Sequence, residues 1–127
     1  MEKAASELEL VCGNLYDQVN RHHPGEDCTT LVETPFVEIK RIVSLNHPSP
    51  ETGWYNQKET EWVTVLQGAA KLEFKSGEKV EMKPGDHLVI PAQREHRVIW
   101  TSPDQETVWL AVHYPSGSEQ PNLAPTP

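Results

Sequence analysis

Between Val37 and Tyr114 the side chains alternate with a period of two. Val37, Ile39, Arg41, Val43 and Leu45 alternate with Glu38, Lys40, Ile42 and Ser44, and Ala70, Leu72 and Phe74 alternate with Lys71, Glu73 and Lys75. Successive side chains of an extended chain point to opposite faces, so each stretch reads as a strand with one face inward. Further β-branched or aromatic runs lie at 62–67, 79–82, 87–90, 96–101 and 107–114. Ser76-Gly77-Glu78, Lys83-Pro84-Gly85-Asp86 and Ser102-Pro103-Asp104 supply turns between them. No helical segment long enough for a parallel crossover intervenes, so the chain is expected to be an all-β sandwich or barrel.

The ends read differently. Leu8, Val11 and Leu15 have roughly helical spacing, which predicts a short N-terminal helix over Ala4–Asn20, interrupted at Gly13-Asn14. Residues 116–127 carry Gly117, Pro121, Pro125 and Pro127 with hardly any apolar side chains, and are expected to be a flexible Pro-rich tail. The chain of 127 residues is long enough for one core. The expected division is an extension over 1–28, a barrel over 29–115 and the tail over 116–127.

A formal charge of -8, with no basic cluster, argues against a nucleic-acid partner. No apolar run approaches the ~20 residues of a membrane span, and Met1–Glu7 lacks the layout of a secretory signal, so a cytoplasmic protein without membrane contact is expected. Cys12 and Cys28 match no zinc or redox spacing and are expected to be free thiols.

The segment from Gly85 through Ile90-Pro91-Ala92 to His96 resembles the second motif of the cupin superfamily, where a glycine, a proline and a histidine recur at this spacing. The stretch Tyr55–Trp62, followed by Gly68, is similar to the first motif, with Glu61 at the glutamate position and Gly68 at the closing glycine. Tyr55 and Gln57 stand where the family places His-x-His, so this first motif is degenerate. The resemblance spans Val37 to Tyr114. It implies a small RmlC-like barrel of the double-stranded β-helix (jelly-roll) type, one small-molecule pocket in its mouth, and a homodimer.

By strand parity, Gln57, Glu59 and Glu61 share a face, as do His96, Val98 and Trp100. A polar rim over an apolar floor results, with Glu59 and Trp100 as ligand-binding candidates. Arg41 interrupts an apolar face and is expected inside the barrel, paired with Glu59 or Glu61 or anchoring an anionic ligand. His113 shares a face with Trp109 and Ala111 and either lines the pocket or meets a partner. The adjacent His22-His23 reads as part of a solvent-exposed loop.

The resemblance implies a divalent metal (Fe, Mn, Ni or Zn) on Gln57, Glu61 and His96, with Tyr55 as a fourth donor. A neutral amide is a weak ligand, so affinity should fall below that of a three-histidine site. Two functions follow. One is an enzyme of dioxygenase, isomerase or lyase type acting on a small oxygenated substrate, with Glu61, His96 and Tyr55 as its catalytic groups. The other is a metal-free or non-catalytic barrel that binds or senses a small molecule. A purely structural role ranks behind both.

Overall fold

The computed structural model of the protein describes residues 9–20 and 24–117. Its strands are β1 (Gly25–Glu33), β2 (Glu38–Leu45), β3 (Thr60–Gln67), β4 (Ala70–Phe74), β5 (Lys79–Met82), β6 (His87–Ile90), β7 (His96–Thr101) and β8 (Thr107–Tyr114). They form an antiparallel five-stranded sheet in the order β1-β2-β8-β3-β6 and a three-stranded sheet in the order β5-β4-β7. The all-β expectation therefore stands, and strands β2 to β8 follow the alternating runs. Strand β1 lies across the expected boundary at residues 28 and 29.

The expected helix over Ala4–Asn20 lies partly outside the described residues. Within 9–20 there is no helix. Asn14 accepts a hydrogen bond from the Tyr16 amide on Oδ1 at 2.8 Å and from the Asp17 amide on its carbonyl at 3.1 Å, making a turn instead. The expected tail and the His22-His23 pair lie wholly or almost wholly outside the described residues.

The main core sits between the sheets and contains Val63, Val65, Ala70, Leu72, Phe74, Met82, Ile90, Trp109 and Ala111. Removing these side chains from water is the principal stabilising term. A smaller cluster of Val19, Val43 and Val108, with Leu66 against it, lies on the back of the large sheet. Residues 14–19 cross that back face as a strap.

Gly68 closes the β3–β4 turn with φ +84°, and a Cβ built there would lie 2.4 Å from Thr107 Oγ1. No other residue type fits without displacing backbone. Gly85, at φ +92°, donates its amide to Val65 O at 2.8 Å and holds the turn before β6. Among the described residues, no helix is long and apolar enough to cross a membrane. Both cysteines are free and exposed.

Candidate functional site

The barrel mouth opens on a cavity of about 250 Å³. Its floor is apolar: Ile42, Val63, Leu72, Ile90, Val98 and Trp109. Polar groups gather on the walls. Glu61 enters from β3, His113 from β8, His96 from β7, and Tyr55 and Gln57 from the segment before β3. Strands β1 and β2 add Glu26, Cys28 and Lys40. Apolar walls with a few convergent polar groups are the usual build of a small-molecule site.

Sheet register explains the convergence. Glu61 pairs with His113 across β3 and β8 and with Ile90 across β3 and β6. All three side chains share the inner face, and Glu61 is only 8 % exposed. Backbone hydrogen bonds between Tyr55 and His96, at 2.7 and 3.1 Å, tie the preceding segment to β7. Their rings stand 5.6 Å apart.

Glu61 is the hub. Gln57 Nε2 donates to its Oε1 at 3.1 Å, His96 Nε2 lies 3.8 Å from Oε1, and His113 Nε2 lies 3.6 Å from Oε2. Burial pushes the carboxyl up. The attraction of His113, then that of His96 and the Gln57 amide, outweighs burial and holds the group below its ordinary 4.5. His113 is pulled above its ordinary 6.5, chiefly by Glu61 and against its own burial. At 3.6 Å the two form an ion contact longer than a hydrogen bond, and His113 Nε2 is buried with no other partner.

His96, 4 % exposed, places Nδ1 2.9 Å from the Arg94 carbonyl. A carbonyl only accepts, so Nδ1 carries the proton and neutral His96 turns the lone pair of Nε2 toward Glu61. Two acceptors facing each other call for a donor between them. Tyr55, half-buried, has its hydroxyl pushed up by burial, partly offset by Ser49. The Cys28 thiol is likewise raised by burial, against the pull of Lys40.

Three expected site residues lie elsewhere. Arg41 points to the back of the sheet, where its Nη1 donates to Leu15 O at 3.2 Å and Asp17 O at 2.5 Å, because the inner face of β2 belongs to Lys40 and Ile42. Glu59 faces solvent because the chain bends at Lys58 and Glu59 and β3 starts only at Thr60, so parity does not carry from Gln57 to Glu61. Trp100 is 37 % exposed beneath Lys71. Leu72 pairs with Val98 and Lys71 with Trp100, so the extra residue Ile99 makes a bulge that reverses parity along β7.

Sequence reasoning missed Glu26, Cys28, Lys40 and Ile42 in the pocket and preferred Trp100 to Trp109 as its indole. The paired signal was available in β2. Lys40 and Ile42 share one parity, and the apolar Val43 of the other parity serves the back cluster.

The metal set implied by the resemblance can be tested on these donors. Neighbouring ligands held at ~2.1 Å from one ion lie about 3 Å apart, closer than the 3.6 and 3.8 Å seen here. Gln57 turns its NH2 to the carboxylate, and an NH2 group is no ligand. Among the described residues no three His, Cys, Asp or Glu groups form a metal-holding cluster. The arrangement does not fit a resident divalent ion.

The chain matches the Cupin domain family over residues 43–113. It is similar to a candidate mannose-6-phosphate isomerase from Ralstonia eutropha JMP134, with 39% identity over 84% of this chain and 100% of that one and a TM-score of 0.79. It also shares its fold with an RmlC-like cupin protein of double-stranded β-helix fold from Methanocaldococcus jannaschii, at 17% identity, 85% and 92% coverage and a TM-score of 0.63. A DMSP lyase structure aligns at 16% identity over 76% of this chain and 50% of that one, with a TM-score of 0.61. No curated protein matches. The family match, the shared fold and the two motifs around one pocket agree that the chain belongs to the cupin family.

Proposed function

We propose that this cupin binds a small oxygenated molecule in its barrel mouth and moves a proton on it without a resident metal. One observation carries the reading: a buried carboxylate, Glu61, sits between two imidazoles above an apolar floor. Its neighbours keep the carboxylate ionised, so it can take a proton from a bound hydroxyl or from carbon beside a carbonyl. A substrate hydroxyl would donate into the gap between Glu61 and His96 Nε2. Tyr55, kept protonated by burial, stands on the opposite side of His96 as the acid.

Isomerase chemistry is the class this arrangement supports best, and the Ralstonia protein's description is consistent with it. The test is incubation of hydroxy-aldehydes and hydroxy-ketones with the protein in deuterated water, followed by NMR. Deuterium entering beside the carbonyl with wild type, and lost in Glu61→Gln, supports proton transfer. Binding without exchange would favour the non-catalytic binding barrel.

The same reading includes a homodimer. Strand β1 pairs only with β2, its outer edge is open, and Leu31, Val32 and Phe36 are exposed beside it. An open edge of this length is a template for pairing with a second copy. A monomeric mass by light scattering at micromolar concentration would overturn that part.

A further inference from the structure

We propose that this pocket selects an uncharged, hydroxylated ligand and rejects phosphates and other anions. The inference deepens the pocket reading above and rests on it. It concerns the charge class of the ligand, which the likeness to a candidate sugar-phosphate isomerase leaves open.

The argument begins with the cations. Lys40 is the full cation among the described lining residues, and Glu38 holds its ammonium at 3.7 Å. Each described arginine is committed elsewhere. Arg41 binds the strap carbonyls, Arg94 pairs with Glu78 at 2.5 Å, and Arg97 pairs with Glu73 at 2.8 Å while stacking on Trp54. Phosphate recognition ordinarily uses a guanidinium fork, an unshared ammonium or a helix N-terminus. Among the described residues the fold has no helix.

The anions point the same way. Glu26 and Glu61 line the cavity, and Glu38 stands at its rim within 3.9 Å of His113. The two imidazoles that face Glu61 are engaged with that carboxylate. A dianion entering here would meet carboxylates in a site walled by Val63, Leu72, Ile90 and Val98, where low polarity lengthens the reach of charge. A hydroxyl group meets the acceptors it needs: Glu61 Oε1 and the Nε2 lone pair of His96. The cavity, at about 250 Å³, also lies below the ~300–1,000 Å³ of drug-sized sites.

Cys28 lines this cavity and Cys12 lies exposed outside it, and they are the chain's two cysteines. They allow the charge class to be read without knowing the ligand. The probes are two methanethiosulfonates, one neutral (methyl) and one anionic (ethylsulfonate). In each case the thiolate attacks the sulfenyl sulfur, the reagent's S–S bond breaks, methanesulfinate leaves with the electron pair, and a mixed disulfide forms. The thiol proton passes to buffer.

Cys12→Ser reports on Cys28, and Cys28→Ser reports on Cys12. Taking the ratio of neutral to anionic rates at each thiol cancels differences in thiol pKa and general exposure. The expected ratio is about tenfold larger at Cys28 than at Cys12, and it falls toward the Cys12 value when Glu61→Gln is added. Adding Lys40→Gln instead removes the ammonium and widens the ratio. Equal ratios at the two thiols, or a Cys28 ratio that neither variant moves, would overturn the proposal. Failure of the underlying reading looks different: charge selectivity persists, but no hydroxylated compound slows the labelling of Cys28.

Discussion

Glu61 Oε2 and His113 Nε2 stand 3.6 Å apart across paired strands, with the imidazole on the carboxylate's side of the pocket and Glu38 3.9 Å behind it. The contact joins the barrel interior to a group at the rim.

This pair predicts a pH window for stability. Glu61 is lowered on folding, so its contribution is present above its unfolded value near 4.5 and is lost as pH falls through the lower folded value. His113 is raised, so its contribution is complete below 6.5 and is lost as pH rises through the higher folded value. Stability from the pair is therefore greatest between those limits. Urea unfolding of wild type and His113→Gln across pH 3 to 9 checks this, the expected loss in the variant being about 2 kcal/mol inside the window. A loss independent of pH would refute the assignment.

The two tryptophans that parity confuses should separate in unfolding experiments. Trp109, 5 % exposed, donates its Nε1 to Ser44 Oγ at 3.1 Å inside the core. Trp109→Ala is expected to lower stability by about 3–5 kcal/mol. Trp100→Ala should change it by under about 1 kcal/mol, since that ring lies outside the barrel beneath Lys71.

Gly68→Ala is expected to be severe for its size. Both the positive φ and the approach to Thr107 oppose a side chain, and a loss of about 2–4 kcal/mol follows. Gly77→Ala shares a positive φ but meets open space, so its loss in chemical denaturation should be visibly smaller.

Arg41→Met should free the strap without disturbing the pocket. The guanidinium holds Leu15 and Asp17 carbonyls on the back of the sheet, and its removal leaves them without that donor. Hydrogen exchange should quicken over residues 14–20 and stay unchanged over β3 and β6. Faster exchange in β3 would place Arg41 in the main fold instead.

Elemental analysis of untagged protein is expected to find far less than one metal per chain. Near-stoichiometric metal, lost in both Glu61→Gln and His96→Ala, would restore the ligand set of Gln57, Glu61 and His96. It would also show that the donors close on an ion by the better part of an ångström.

Strand β1 shows where alternation stops being informative. It is an edge strand with nearly every residue exposed, so Gly25–Glu33 carries no apolar face to read. Strand β2 shows the opposite difficulty. Val43 looks like a core residue and is one, yet it packs on the strap's Val19 and not on the pocket. Once both faces of a sheet are covered, apolar spacing cannot say which is inside.

The linear order of residues determined the strand periods, the turns at Gly68 and Gly85, and the two motifs that bring Glu61 and His96 to one cavity. These are local properties of backbone and spacing, repeated often enough to leave one fold class. Tertiary structure alone decided that His113 meets Glu61, that Ile99 bulges and turns Trp100 outward, and that Arg41 belongs to the strap. Register across strands distant in sequence sets those contacts, and a single extra residue in a strand exchanges its two faces.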